Sequence, residues 1–280
     1  MTRYETLIRA AELAAIIDDP QLVLIDVRHD LADHTLGPRK YAEAHLPGAH
    51  FLSVETDLAG PRTGRNGRHP LPTPEAFAAT LSAVGVDATK QVVAYDQGQA
   101  TYSARLWWML RWLGHRNVAV LDGGLDAWVR AGHAVTTLVP ARRPAQFVPR
   151  VSESPVSVAT LVGRLGEIDC TVVDARSAER FRGINETIDP VGGHIPGARN
   201  RPYTQNLKAD NTFKDAETLR AEWLAALAGR VPGQIVHSCG SGVTACNNLL
   251  AMEVAGMPGA RLFPGSWSEW SADPARPVER

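Results

Sequence analysis

The chain has 280 residues, with 29 basic and 30 acidic side chains and a formal net charge of -1. This balance argues against nucleic acid or an anionic membrane surface as the main partner. The length suits about two domains with substantial cores, and three cysteines are too few for a disulfide framework, so we expect a cytoplasmic protein.

The N-terminal segment, residues 1–20, is acidic and has no long apolar run. Its acidic residues are Glu5, Glu12, Asp18 and Asp19. This composition predicts an amphipathic first helix rather than a signal peptide. No segment of the sequence is apolar for long enough to span a bilayer, so we expect no membrane partner.

Four short patterns occur twice in the same order, about 145 residues apart. The pairs are 24–28 with 172–176, 45–49 with 194–198, 91–96 with 234–239, and 121–124 with 263–266. Each half alternates short apolar strands with helical stretches, which is typical of a parallel sheet flanked by helices. The sequence therefore predicts two tandem α/β domains.

Prolines without clear periodicity mark the domain boundary, at positions 140, 144, 149 and 155. We expect a first domain over 1–140, an extended linker over 141–157 and a second domain over 158–280. The linker suits two domains that lie side by side, and ligand sites favour the cleft between such domains. We therefore expect the active site in the C-terminal domain, at an interdomain cleft.

The segment 237–246, His-Ser-Cys-Gly-Ser-Gly-Val-Thr-Ala-Cys, lies between a strand pattern and a helix pattern over 245–255. Loop N–H groups ahead of a helix N-terminus attract negative charge, and the glycines permit a sharp turn. A thiolate at Cys239 would be stabilised there and would be nucleophilic. On local sequence alone, the alternative is a buried cysteine in an ordinary turn. The first half has Asp96 at this position, so only the second half can be catalytic.

Between the second and third repeated patterns, the first half has six residues more than the second. They lie in or near 60–69, a stretch rich in Gly and Arg that ends at His69. One interpretation is a solvated surface loop. The other is a basic flap that reaches towards Cys239 and favours anionic substrates.

Several residues that occur in both halves, or on one apolar helix, are predicted to be structural. They are His45 and His194 in the repeated turns, Asp26 and Asp174 at strand ends, and Trp107, Trp108 and Trp112. A metal site built from His237, Cys239 and Cys246 does not match zinc-ligand spacings, so we expect no metal. Buried free thiols are the expectation for Cys246 and Cys170.

Together these features resemble two-domain rhodanese-type sulfurtransferases. The resemblance depends on the tandem repeat, the two His-(Leu/Ile)-Pro-Gly-Ala motifs, Asp96, and the final Gly-Ser-Trp-Ser-Glu-Trp over 265–270, and it covers residues 13–270. Within that family, Cys-Gly-Ser-Gly-Val-Thr resembles the loop of 3-mercaptopyruvate sulfurtransferases. Thiosulfate:cyanide sulfurtransferases more often have a basic residue where this chain has Gly240.

The resemblance implies that Cys239 attacks a small anionic sulfur donor and becomes a persulfide. The sulfur would then pass to cyanide, a thiol or a thioredoxin-like acceptor, without a cofactor. The backbone N–H groups that would bind the sulfur anion are those of Gly240, Ser241, Gly242, Val243 and Thr244.

Arg180 matches the family arginine that binds the anionic end of the donor, a role that suits a guanidinium. From the residues alone, a surface arginine paired with Glu179 or Glu186 is the alternative. The following segment, 184–189, lacks the second arginine that is usual in 3-mercaptopyruvate sulfurtransferases.

Ser241 and His69, with an acid, match a proposed serine–histidine–acid relay of the mercaptopyruvate enzymes. Such a relay would polarise the donor carbonyl or supply a proton. Counting from the turn at 47–49 places Glu55 at the acid position, with Asp57 close by.

Two other classes of function compete with sulfur transfer. A phosphatase or arsenate reductase needs a larger loop that ends in an arginine, and no arginine follows Gly242 in this segment. A non-catalytic sulfur carrier is less favoured, because the nucleophile loop is intact. The sequence therefore predicts a 3-mercaptopyruvate sulfurtransferase, with a thiosulfate:cyanide sulfurtransferase as the alternative.

Overall fold

The computed structural model describes residues 3–152 and 154–280, and the chain divides into two compact units. The first unit comprises Met1–Gly60, Pro72–Glu153 and Ala209–Phe213. The second comprises Pro61–Leu71, Ser154–Lys208 and Lys214–Arg280. The segment 61–71, which includes most of the Gly/Arg-rich stretch, therefore belongs to the unit that contains Cys239.

The first unit is a five-stranded parallel sheet with the strand order β1-β5-β4-β2-β3. Its strands are β1 (Leu7–Ile8), β2 (Leu22–Asp26), β3 (His50–Phe51), β4 (Gln91–Tyr95) and β5 (Val118–Leu121). Its helices are α1 (Ala10–Ala14), α2 (Leu36–Glu43), α3 (Pro74–Ala83), α4 (Ser103–Trp112) and α5 (Gly124–Arg130).

The second unit is a four-stranded parallel sheet with the strand order β7-β6-β8-β9. Its strands are β6 (Thr171–Asp174), β7 (Arg199–Asn200), β8 (Ile235–Ser238) and β9 (Arg261–Leu262). Its helices are α6 (Val158–Gly163), α7 (Ala178–Phe181), α8 (Ala216–Leu227), α9 (Ala245–Val254) and α10 (Ser266–Trp270), with 3₁₀ turns at Tyr203–Asn206 and Pro232–Gln234. The predicted pair of α/β domains is confirmed.

The predicted first helix over 1–20 is wrong in its extent. Residues 1–2 lie outside the described residues, and Leu7–Ile8 forms an edge strand whose backbone pairs with β5. The helix itself covers only Ala10–Ala14, and Leu13 on its inner face is buried. Tertiary pairing at the sheet edge thus overrides the helical pattern of this segment.

Each unit has its own apolar core around its central strands. In the first unit, Leu24, Val93 and Trp128 belong to one cluster of buried side chains, and in the second, Val236 and Trp267 do. Trp107, Trp108 and Trp112 on α4 are all buried, as predicted. Full burial of an aliphatic side chain such as Leu24 or Val93 stabilises the fold by about 1.5–3 kcal/mol.

The residues predicted to be structural make equivalent contacts in the two units. Asp26 accepts hydrogen bonds from the backbone and guanidinium of Arg28, and Asp174 accepts the same set from Arg176. His45 Nδ1 lies 2.7 Å from the Tyr41 carbonyl, and His194 Nδ1 lies 2.8 Å from that of Phe181. These contacts hold turns in both units, including the one that has Asp96 at the position of Cys239.

Across residues 3–152 and 154–280, no helix is both long enough and apolar enough to cross a membrane.

Candidate active site

Cys239 follows directly after β8, at the start of the cysteine loop, defined as residues 239–244. Its side chain is almost completely buried. The backbone N–H of Cys239 donates to Ser266 Oγ (3.0 Å), and its carbonyl accepts from the Trp267 N–H (3.0 Å). The first turn of α10 therefore fixes the peptide groups on both sides of the cysteine.

Two glycines shape the cysteine loop, each for a different reason. Gly242 has a φ of 74°, and a Cβ there would lie 2.1 Å from the Pro264 carbonyl oxygen, so only glycine fits. A Cβ at Gly240 would lie 2.8 Å from Arg68 Nη2 and 3.6 Å from Arg180 Nη2. Glycine after the cysteine thus leaves room for guanidinium groups that come from two other segments.

Helix α9 begins immediately after the cysteine loop, at Ala245, with Thr244 as its N-cap. The N-terminus of a helix carries partial positive charge because its first N–H groups lack intrahelical partners. The loop and the helix N-terminus together therefore favour a negative charge next to Cys239.

The segment 61–71 carries His69 to the cysteine loop. His69 Nδ1 lies 2.8 Å from Ser241 Oγ, and both side chains are buried. The backbone N–H of Arg68 donates to Ser268 Oγ (3.0 Å), and Gly67, with a φ of 84°, packs against the Gly265 carbonyl. The solvated-loop interpretation is therefore wrong for 67–69, although residues 61–65 are exposed.

Arg180 on α7 makes one of the contacts that the sequence left open, an ion pair with Glu186. Its Nε and Nη2 donate to Glu186 at 3.0–3.2 Å, and its Nη2 also donates to Asp189 Oδ2 at 3.1 Å. Arg68 Nη1 donates to Asp189 Oδ1. Both guanidinium groups also lie beside Gly240, next to the cysteine.

The two acids of this cluster have opposite pKa shifts. Burial raises the pKa of the Glu186 carboxyl, but hydrogen bonds from Arg180 and from two backbone N–H groups outweigh it, so the pKa is below its ordinary value. For Asp189, burial outweighs the attraction of Arg68 and Arg180, and its pKa is raised.

Glu55 lies in the first unit, where its carboxylate contacts His29 Nε2 (3.3 Å) and His34 Nδ1 (3.6 Å). Asp57, the other acid considered for the relay, accepts the Ser53 N–H at 2.7 Å. Its carboxylate thus helps to hold the turn after β3. The role of either acid in the relay stays a prediction.

The other residues of the cysteine-loop region make structural contacts. The Cys246 thiol donates to the Gly242 carbonyl at 3.4 Å, and Cys170 belongs to the second apolar core. His237 is fully buried between Trp223 and Met252, and burial lowers its pKa to about 3. His237 is therefore neutral near pH 7, and its Nε2 lies against the Met252 sulfur at 3.1 Å.

Sequence reasoning missed three residues of the site. Arg68 and Asp189 were not singled out, because the pairing of segments 121 residues apart leaves no local pattern. The position of Arg68, next to His69 in a basic stretch, was the one available signal. Ser266 belongs to the C-terminal Gly-Ser-Trp motif, but that motif does not show that it binds the Cys239 backbone or has a φ of 53°.

Comparison with known proteins assigns the family. The rhodanese-like domain family matches residues 9–131 and again 157–273. A protein of Pseudomonas aeruginosa named "Probable 3-mercaptopyruvate sulfurtransferase" is 48% identical over 97% of each chain. A Mycobacterium tuberculosis protein named "Putative thiosulfate sulfurtransferase SseB" is 41% identical over 99% of this chain and 98% of its own.

Among solved structures, that of the 3-mercaptopyruvate sulfurtransferase SseA from Escherichia coli is similar, with a TM-score of 0.80 and 32% identity. The match covers 94% of this chain and 99% of SseA. The chain therefore belongs to the rhodanese family and has two rhodanese-like domains. The prediction of an enzyme of the two-domain, rhodanese-type sulfurtransferase class is confirmed.

Proposed function

We propose that this protein transfers sulfur from 3-mercaptopyruvate to a thiophilic acceptor, through a persulfide on Cys239. The observation that carries the proposal is the contact between His69 and Ser241 inside the cysteine loop, at 2.8 Å. A hydroxyl paired with an imidazole serves a donor that has a carbonyl to polarise and a carbon to protonate.

In the first half-reaction, the Cys239 thiolate attacks the sulfur of 3-mercaptopyruvate. An S–S bond forms, the C–S bond breaks, and its electron pair leaves on the enolate of pyruvate. Ser241, polarised by His69, stabilises that enolate oxygen and delivers the proton that converts it to pyruvate. The relay acid in this proposal is Glu55, with Asp57 as the alternative.

The proton of the donor thiol replaces the one that Ser241 and His69 deliver to the enolate, so the product of this step is a persulfide anion on Cys239. The N–H groups of residues 240–244 and the N-terminus of α9 stabilise its charge. In the second half-reaction, a thiophile attacks the outer sulfur and Cys239 leaves as a thiolate. Cyanide, a small thiol or a thioredoxin-like protein would each serve as this acceptor.

The carboxylate of the donor binds the guanidinium groups of Arg180 and Arg68 in this proposal. Both lie beside Gly240 and can donate charge-assisted hydrogen bonds. Arg68 would thus take the place of the second arginine that the segment 184–189 lacks.

Thiosulfate is the second candidate donor, and one finding favours it: the M. tuberculosis relative is named as a putative thiosulfate sulfurtransferase. Its sulfite leaving group needs no carbonyl polarisation and no carbon protonation. The relay would then be idle, which is why we place this donor second.

The test is a side-by-side measurement of kcat/KM for the two donors with one acceptor. We expect 3-mercaptopyruvate to have the higher value. A higher value for thiosulfate would contradict the proposed donor, whereas no turnover with either donor would contradict sulfur transfer itself.

A further inference from the structure

Two carboxylates, Asp189 and Glu186, lie against the arginines beside the cysteine loop. Their side chains are 2% and 4% exposed. Asp189 bridges the arginines, because one of its oxygens accepts from Arg68 and the other from Arg180. Glu186 accepts from the Nε and Nη2 of Arg180.

Each guanidinium group has a nitrogen atom beside the loop other than those that donate to the acids. Arg68 donates to Asp189 through Nη1, while its Nη2 is the atom nearest to a Cβ position at Gly240. Arg180 binds the acids through Nε and Nη2, and its Nη2 and Nη1 lie 3.6 and 3.7 Å from the same position. Each guanidinium can therefore keep its acid and still contact an anion at the loop.

A third arginine closes the cluster, because Arg176 pairs with Asp174 at 2.8 Å and approaches Glu186 at 3.5 Å. The cluster thus consists of Arg68, Arg176 and Arg180 with Asp174, Glu186 and Asp189. Its formal charge is zero, although it lies beside the residue where an anionic donor must bind.

We propose that Asp189 and Glu186 set the charge specificity of the donor site, so that it accepts a monoanionic carboxylate in preference to a dianion. This inference rests on the proposed function, in which the donor anion contacts Arg68 and Arg180. The arginines supply the hydrogen bonds, while the acids cancel the excess positive charge that would favour a dianion. The interaction energy of ion pairs that are mostly shielded from water changes strongly with such differences in charge.

The donors differ in the property that this site would distinguish. 3-Mercaptopyruvate has one carboxylate charge when its thiol is protonated, whereas thiosulfate has two negative charges. Removal of one acid raises the attraction of the site for every negative charge of the donor. The dianion therefore gains about twice as much interaction energy as the monoanion.

Asp189→Asn tests the proposal, because the amide preserves the size of the side chain and removes one negative charge. We expect the ratio of kcat/KM for thiosulfate to that for 3-mercaptopyruvate to rise about tenfold at low ionic strength. High salt should reduce this gain by screening. Glu186→Gln should change the ratio in the same direction, and it provides a second variant if the first does not fold.

Glu179→Gln is the matched control, because it removes the same charge from an exposed position on α7, the helix that carries Arg180. This control should leave the donor ratio unchanged. If Asp189→Asn and Glu186→Gln lower turnover of both donors equally and keep the wild-type ratio, the acids only hold the arginines in place and the proposal is overturned.

A binding measurement separates this proposal from the function on which it rests. Pyruvate, a monoanion, and sulfate, a dianion, are compared for their protection of the Cys239 peptide from alkylation, with mass spectrometry as the readout. Asp189→Asn should increase protection by sulfate relative to pyruvate, even if the protein turns over neither donor. Unchanged relative protection would overturn the charge-specificity proposal, while absent turnover of the wild type would contradict only the proposed function.

Discussion

The loops that follow β4 and β8 hold different residues at equivalent positions. In the first unit, Asp96 is buried, and its carboxylate accepts N–H groups from Gly98, Ala100, Tyr102 and Ser103 at 2.8–3.2 Å. In the second unit, Cys239 takes the equivalent position. The backbone frame is the same, since Leu125 N–H donates to the Asp96 carbonyl and Trp267 N–H to that of Cys239, both at 3.0 Å.

This comparison shows what the loop does independently of catalysis. Converging N–H groups ahead of a helix make a site for negative charge. In the first unit an internal carboxylate fills that site permanently. In the second, we propose, the same backbone stabilises a thiolate and a persulfide, whose charge changes during each turnover.

The two units also differ at the first residue of the helix that packs on this loop, Gly124 in α5 and Ser266 in α10. Gly124 has a φ of 57° and Ser266 a φ of 53°, and only glycine adopts this left-handed conformation without cost. The strain at a non-glycine residue is of the order of 1–3 kcal/mol. Ser266 tolerates it while its hydroxyl accepts the Cys239 N–H, a contact that glycine cannot provide.

The largest expected effect comes from the cysteine itself. Cys239→Ser should abolish transfer with every donor, because a hydroxyl neither ionises near neutral pH nor forms a persulfide. Cys246→Ser is the matched control and should keep most activity in the same cyanide-acceptor assay. Adding Asp96→Cys to the Cys239→Ser variant should restore nothing, because the first-unit loop is not the one that holds Ser241 and His69. Restored activity would contradict the assignment of catalysis to the second unit.

The next effect concerns the relay. His69→Ala and Ser241→Ala should each lower kcat with 3-mercaptopyruvate by about 10²–10⁴-fold, the usual contribution of general acid–base help. Turnover of thiosulfate should fall far less, since sulfite needs no proton on carbon. Equal losses with both donors would mean that the contact only holds the loop in shape. No loss with either would make thiosulfate the better donor assignment.

A smaller effect is expected when the arginine proposed to bind the donor anion is removed. Arg180→Ala should raise the KM for 3-mercaptopyruvate by about 10–100-fold, which corresponds to a charge-assisted pair of roughly 1.5–3 kcal/mol. Arg182→Ala, at an exposed position two residues further on, is the matched control. Unchanged KM values in a folded Arg180→Ala variant would show that this guanidinium serves only its pairs with Glu186 and Asp189.

The smallest effect is on the stability of the first unit, when the carboxylate of Asp96 is removed from its loop. Asp96→Ala leaves its buried N–H donors without their carboxylate, so the free energy of unfolding should fall by about 1–3 kcal/mol. Asp18→Ala, at an exposed position, should change it by less than about 0.5 kcal/mol. Chemical denaturation measures both. Equal stability of the two variants would mean that the Asp96 loop does not depend on its internal anion.

Features that depend on local pattern could be predicted from the sequence. The repeated patterns predict the two sheets and the equivalence of Asp96 with Cys239. The glycines that follow the cysteine predict its tight loop. The contact of His69 with Ser241 joins segments 172 residues apart, and the family resemblance alone suggested it.

Features that depend on tertiary pairing could not be predicted. The edge strand Leu7–Ile8 is stabilised by pairing with β5, and no local sequence pattern predicts that pairing. The pair of Arg68 with Asp189 arises only once the segment 61–71 packs on α10. The left-handed φ of Ser266 cannot be predicted from the sequence either, because serine has no local preference for that conformation.

The central claim is that Cys239 carries the transferred sulfur. It is tested most directly by treating the protein with 3-mercaptopyruvate in the absence of acceptor and measuring the mass of each cysteine peptide. We expect one added sulfur atom on the peptide that contains Cys239, and its loss after cyanide is added. Added sulfur on Cys170 or Cys246, with the Cys239 peptide unchanged, would contradict it.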